Sequence, residues 1–325
     1  MSLKSPIYSE ITIVIVTFNS AAHIRVCLNS ILGSNYTKSI QVIVVDNASN
    51  DATVDIIMHE YPLIELVQNK LNKGFAVGCN QGLERSNSNY SLLLNPDAAL
   101  YEDTLTELID YMERHPRVGI VGPGLFDENG DLQRDCSATG IAPGFGQAMF
   151  EYTRLGRYFP NHRLIKQYFQ TQEQRKKQQS VAMVQGACFL FRRTLFEQIG
   201  QFDENYFLYF EETDYCQRAL GQDWQVHYLG NQSCQHSGAH SMPQGQQASW
   251  YFIRSLYRYH SKHTGRFKTI MLWLILMPYH LLKVIRMSCF QVAQPNNIVL
   301  RKDLQVARER FLCHFWFLTQ APHLR

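Results

Sequence analysis

Short apolar runs alternating with stretches of helical character fill the first 125 residues, and this alternation restricts the possible folds more than any other feature. Ile11-Thr12-Ile13-Val14-Ile15-Val16-Thr17 is β-branched throughout and reads as a strand, after which Asn19-Ser20 supplies a cap for a helix to about Leu32. The pattern repeats with a strand at 41–46, a polar loop at 47–51 and a helix through Glu60. A strand at 64–68 precedes helix-like 74–85. Leu92-Leu93-Leu94 then precedes a helix at 102–115 and a strand at 118–121. Strands alternating with helices imply right-handed βαβ crossovers, so an α/β fold with a Rossmann-like, mostly parallel sheet and flanking helices is expected.

Parallel strands share direction, and ligands of open α/β sheets bind outside the strands' carboxyl ends. Three polar loops end at that edge: 17–19, 46–51 and 95–97. Asp46 and Asp97 should therefore line one crevice. Pro96 has no N–H to donate and ends the ladder, so Asn95-Pro96-Asp97 could also be no more than a turn. The glycines of 74–82 are four apart and fit no G-x-G-x-x-G register, and there is no G-x-x-x-x-G-K-[ST]; they read as small residues packing a helix closely on the sheet. Asn72 and Lys73, just before that helix, could still face a nucleotide.

Regularity stops over 135–180, where Gly, Pro, aromatics and a polar tract suggest an excursion or lid. It resumes at 181–192, with a helix at 194–199. Beyond it, Glu211-Glu212-Thr213-Asp214 opens an amphipathic helix behind an aromatic run. Carboxylates in a first turn suit the helix dipole, but three together repel and raise one another's pKa, which suits a general base. A strand at 224–229 delivers His236 to a loop, and His240 four residues on lacks the Glu of H-E-x-x-H.

The remainder reads as helices over 250–263, 270–286 and 300–317. Arg254, Arg258 and Lys262 form a cationic stripe that suits solvent, a diphosphate or lipid headgroups. The apolar run at 270–282 is interrupted by Pro278 and His280, which makes it short for a span of about 20 residues and suggests an interfacial or buried helix. The net charge of +3 is small, no motif supports nucleic-acid reading, and eight cysteines without a C-x-x-C pair read as free thiols of a reducing compartment. Residues 1–10 lack a basic stretch followed by an apolar core, so a cytoplasmic protein is expected.

Taken in order, Thr17-Phe18-Asn19, Val45-Asp46-Asn47-Ala48-Ser49-Asn50-Asp51, Asn72-Lys73-Gly74, Leu94-Asn95-Pro96-Asp97, Gly186-Ala187-Cys188, Glu211-Glu212-Thr213-Asp214 and His236 resemble the signature of family 2 glycosyltransferases, closest to the bacterial rhamnosyltransferase-like subgroup. The resemblance implies a GT-A catalytic domain over 1–245, with a nucleotide-sugar half at 8–125 and an acceptor half at 126–245, and a C-terminal helical extension over 246–325 that could meet a membrane. It implies a dTDP- or UDP-linked sugar donor, a glycan or lipid-linked acceptor, Mg²⁺ or Mn²⁺, and inversion. Asp97 and His236 would face the metal. Thr17, Asn19, Asp46, Asn72, Lys73, Asn95 and Gly186 would line the nucleotide-sugar site, and Glu212, Glu211 or Asp214 would take the acceptor's proton. Asn95 and Glu212 depart from the family's usual Asp at those places. A nucleotidyltransferase acting on sugar phosphates and a non-catalytic glycan-binding protein are the alternatives.

Overall fold

The computed structural model describes residues 9–133, 138–168, 173–238 and 246–320. These fall into two compact units, one comprising Met1–Ala142, Phe169–Phe207 and Glu211–Ser241, the other Pro143–Tyr168, Leu208–Phe210 and Met242–Arg325.

The strands are β1 (Ile11–Thr17), β2 (Ile40–Asp46), β3 (Glu65–Gln68), β4 (Tyr90–Leu94), β5 (Ala98–Leu100), β6 (Val118–Phe126), β7 (Ala138–Thr139), β8 (Gln178–Ser180), β9 (Met183–Val184), β10 (Cys188–Arg192) and β11 (Gln225–His236). In the first unit the helices are α1 (Ile24–Leu32), α2 (Thr53–Glu60), α3 (Phe75–Leu83), α4 (Thr104–Arg114), α7 (Arg193–Ile199) and α8 (Glu211–Leu220). The second unit holds α5 (Phe145–Tyr152), α6 (Arg163–Tyr168), α9 (Gln246–Thr264), α10 (Arg266–Ala293) and α11 (Ile298–Gln320).

The main sheet runs β3-β2-β1-β4-β10-β6-β11-β5, with β8 also on β11. β3, β2, β1 and β4 are mutually parallel, as the alternation predicts, and β6 pairs parallel with β11. One difference matters: β10 inserts antiparallel between β4 and β6, so the sheet is mixed beyond the nucleotide half. Alternation along β1 and β4 feeds both faces. Ile13, Ile15, Leu92 and Leu94 pack under α1, α2 and α4, while Val14, Val16 and Leu93 pack with α3, α7 and α8. Glycine sets the α3 contact, since a Cβ on Gly82 would lie 2.4 Å from Val14 Cγ1 and one on Gly78 2.7 Å from Val16 Cγ1. Gly74 has φ +91, and a Cβ there would lie 2.5 Å from the Phe207 carbonyl.

Several sequence expectations are corrected. α1 begins at Ile24, not after Ser20, because the Ser20 carbonyl accepts from His23 and Ile24 across an intervening turn. β11 continues to His236, so that histidine ends a strand and does not sit on a loop. Pairing with β6 and β5 on its two sides overrides the weak strand propensity of its Asn and Ser residues. The stretch expected to be irregular holds β7, α5, α6 and β8, and its residues 143–168 pack with the C-terminal helices; 134–137, 169–172 and His240 lie outside the described residues. Finally, α10 is 28 residues long and its apolar stretch is mostly unburied, so by length and composition it could cross a membrane and is not short. Arg254 and Arg258 are half-buried on α9, and Lys262 is exposed.

Candidate active site

The carboxyl edge of β1 and β2 is closed by a hydrogen-bond web. Thr17 donates to Asp46 Oδ1 at 2.8 Å, and Ser49 donates to the same carboxylate through its hydroxyl (2.5 Å to Oδ1) and its amide (2.9 Å to Oδ2). Asp46 is thereby buried but fully supported. Asn19 adopts φ +51, accepts from the Asn50 amide at 2.8 Å and donates its own amide to Ser49 Oγ at 2.8 Å, which locks the two loops together. Asn47 reaches across to the next loop, donating to the Gly74 carbonyl at 3.0 Å and accepting from Asn69 at 2.9 Å. Asn72 accepts from the Gly74 amide at 2.9 Å and so shapes its own turn, while Lys73 is exposed.

Asp97 meets His236 because the chain leaves β4 at Asn95 and re-enters the sheet as β5, against the end of β11. The register pairs Ala98 with His236, and the Ser237 amide donates to the Asp97 carbonyl at 3.1 Å. His236 Nε2 then lies 3.5 Å from Asp97 Oδ1, and both atoms are buried without a hydrogen-bond partner. Burial alone would raise the Asp97 pKa, but His236 beside it outweighs that, and His23 adds to the effect, so the carboxyl is held below its ordinary value. Gln133 grips the histidine from the far side. Its Nε2 donates to the His236 carbonyl at 2.6 Å and its Oε1 faces His236 Nδ1 at 3.1 Å. An amide oxygen can only accept, so Nδ1 carries a proton; a second proton on Nε2 would tie a charged ring to the carboxylate, and where a cation takes its place Nε2 presents a lone pair. Two facing acceptors call for a positive charge between them, and an oxygen and an imidazole nitrogen are suitable ligands for Mg²⁺ or Mn²⁺. Among the described residues no cluster of three or more His, Cys, Asp or Glu side chains forms, so such an ion would complete its shell with water or substrate oxygens.

The acidic helix start is tied to the same sheet edge through Gly186. The antiparallel pairing of β4 with β10 sets Leu94 opposite Cys188, and the Asn95 amide donates to the Ala187 carbonyl at 2.9 Å. Gly186, next to Ala187, packs on Glu212: a Cβ at Gly186 would meet the Glu212 side chain at 3.7–3.8 Å, ordinary contact. Asn95, Asp97 and Gly186 thus occupy neighbouring loops at one sheet edge, and Glu212, in the first turn of α8, packs on Gly186. Glu211 is 4% exposed, and burial first, then the charge of Glu212, pushes its pKa well up. Burial also raises Glu212, against the backbone amides of Gly186 and Thr213. One oxygen of each carboxylate has no hydrogen-bond partner. Asp214 differs, being fully buried and ion-paired to Arg218 at 2.9 Å; Arg218 also donates to the Ile199 and Gln201 carbonyls at 2.7 and 2.8 Å. Tyr209 and Phe210, just before Glu211, have φ +70 and +69, a left-handed pair that costs about 1–2 kcal/mol per residue.

Sequence reasoning did not find Gln133, Ser49 or Arg218 as supports. Arg218 sits at i+4 from Asp214, a spacing that could have revealed the pair. Gln133 follows an Asp127–Gly130 turn and carries no local signal.

A family model described as Glycosyl transferase family 2 matches residues 12–200. An N-acetylglucosaminyl-diphospho-decaprenol L-rhamnosyltransferase from Mycobacterium tuberculosis is 26% identical over 241 residues, covering 70% of this chain and 76% of that protein. The low-salt glycan biosynthesis hexosyltransferase Agl10 from Haloferax volcanii is 24% identical over 242 residues, 71% of this chain and 70% of that one. Among solved structures, the mannosyltransferase PcManGT from Pyrobaculum calidifontis, in complex with GDP-Man and Mn²⁺, shares the fold at a TM-score of 0.53 and 14% identity, covering 95% of this chain and 87% of its own.

Proposed function

The chain belongs to glycosyl transferase family 2 and is a glycosyltransferase of GT-A fold, and on that premise we propose that it moves one sugar, with inversion, from a nucleoside-diphosphate donor to a lipid-linked or cell-surface glycan. L-Rhamnose from a dTDP or UDP donor is the sugar we propose, since the Mycobacterium tuberculosis relative is named for rhamnosyl transfer. The family assignment sets aside the nucleotidyltransferase and the non-catalytic binder.

The observation that supports the reading is the pair of unsatisfied groups at one sheet edge, Asp97 with His236 and Glu212 in the first turn of α8 against the Gly186 loop. Asp97 and His236 would hold Mg²⁺ or Mn²⁺, which supplies Lewis acidity to the leaving diphosphate. Asp46, braced by Thr17 and Ser49, contacts the nucleoside, and the loops carrying Asn19, Asn72, Lys73 and Asn95 line the donor site. Glu212, held partly desolvated on Gly186, takes the proton of the acceptor hydroxyl as its oxygen attacks the anomeric carbon. The bond to the diphosphate breaks on the opposite face, which gives inversion in one displacement. Glu211 keeps a second acidic group beside the base, and Asp214 fixes the helix through Arg218. The outer side of α10, with Phe267, Leu274 and Ile285 exposed, lies against the inner face of the cytoplasmic membrane.

Mass spectrometry of products from dTDP-, UDP- and GDP-sugars, with and without Mn²⁺, tests the activity. Asp97→Ala and Glu212→Gln should each abolish most transfer. Near-native rates in either would remove that residue from the mechanism.

A further inference from the structure

In the second unit, the segment after α5 and the helices α10 and α11 enclose a cleft of about 820 Å³. Arg154, Arg157, Lys283, Arg286 and Arg310 line it, five cations from three separate stretches of chain, against one acid, Asp303. None of the five forms an ion pair among the described residues; Arg286 lies over the Phe290 ring at 5.6 Å. Such convergence is unfavourable by itself, since like charges are held together with little counter-charge. Lys283 shows the strain: burial first, then Arg154 and Arg310, lower its pKa. The cleft is also lipophilic at its margin, where Tyr158, Leu282 and Phe290 are 81%, 65% and 50% exposed. A free anion would need the cations but not this apolar rim. An anion attached to a hydrocarbon chain would use both.

We propose that this cleft binds the phosphate headgroup of an anionic membrane lipid, with the lipid's chain against the apolar residues of α10. The proposal rests on the membrane contact proposed for α10, and it adds the site that makes this contact selective for phosphate. Guanidinium groups match phosphate oxygens in pairs, and the apolar rim on the same helix orients the tail.

The test measures sedimentation of the full chain with vesicles of phosphatidylcholine alone and with 30% phosphatidylglycerol, beside calorimetric titration of inorganic diphosphate. The variant Arg154→Gln, Arg157→Gln, Arg286→Gln replaces three exposed cations, and its thermal midpoint and donor hydrolysis, expected to match the unaltered protein, report on folding and on the catalytic unit. The unaltered protein should bind the anionic vesicles, and the variant should bind them on the order of 100-fold more weakly, about fivefold per cation removed. Arg→Lys at the three positions should restore part of the binding, returning the charge without the paired contacts. Equal binding of variant and unaltered protein to anionic vesicles would overturn the cleft while leaving the α10 contact intact. No binding to any vesicle would remove both, and diphosphate binding without vesicle binding would assign the cleft to a free anion and overturn the lipid. Loss of donor hydrolysis in the unaltered protein would count against the enzyme reading only.

Discussion

Of the three carboxylates that open α8, the structure separates one by its surroundings, and a pair of substitutions turns that separation into numbers. Asp214 is fully buried and its charge is matched by Arg218 at 2.9 Å. Asp214→Asn keeps the shape but removes the charge. Breaking a buried pair costs about 3–5 kcal/mol, and the low end applies because Arg218 retains the Ile199 and Gln201 carbonyls and is 20% exposed. At roughly 2–4 °C per kcal/mol for a unit of this size, the thermal midpoint should fall by about 6–12 °C. The transfer rate per folded molecule should change less than about threefold, because positioning is retained. Glu212→Gln should do the reverse. Its carboxylate is raised by burial and has an oxygen without a partner, so the amide should leave the midpoint unchanged or higher. Loss of the proposed general base should lower the rate by about 10²–10⁴, equal to about 3–5 kcal/mol on the barrier. Differential scanning fluorimetry and initial rates, measured on the same preparations, read both. A variant Asp214→Asn that is as stable as the parent but a hundredfold slower would refute the reasoning.

Two further predictions concern the same edge. Glu211 has a pKa raised by burial and then by Glu212, so the folded state holds a proton that the unfolded chain releases near pH 4.3. Stability from this group is present below that pH and declines as pH climbs through the folded value; Glu211→Gln should therefore gain on the parent as the pH rises from 5 to 8 in urea unfolding, and parallel curves would contradict it. Gln133→Leu should leave His236 in place but free its tautomer, weakening Mn²⁺ binding by about 10–100-fold in electron paramagnetic resonance titrations, and unchanged affinity would show that the amide does not orient the ring.

The nucleotide half was legible because each of its signals is local. β-Branched runs mark β1 and β2, and Gly78 and Gly82 announce close packing on β1. The antiparallel entry of β10 was not, since Cys188–Arg192 reads as a strand whichever neighbour it takes, and partner choice is decided by chain far away in sequence. The placement of His236 failed for a related reason: residues that look like a loop become strand when both flanks offer a ladder. Asp97, Glu212 and His236 stood out by type and order, whereas Asp214 looked the same as its neighbours until Arg218 was found folded onto it. A basic cleft assembled from three distant stretches has no sequence signature at all.

The short ladder of β5 against β11 has one more consequence. Only three residue pairs hold it, and a slip of a single step would turn every side chain to the opposite side and carry Asp97 away from His236. Ion capture by the proposed Asp97–His236 pair would therefore become possible only after the last strand of the unit has docked in register, so occupancy by a divalent ion, followed in real time during refolding, would act as a clock for the completion of the sheet.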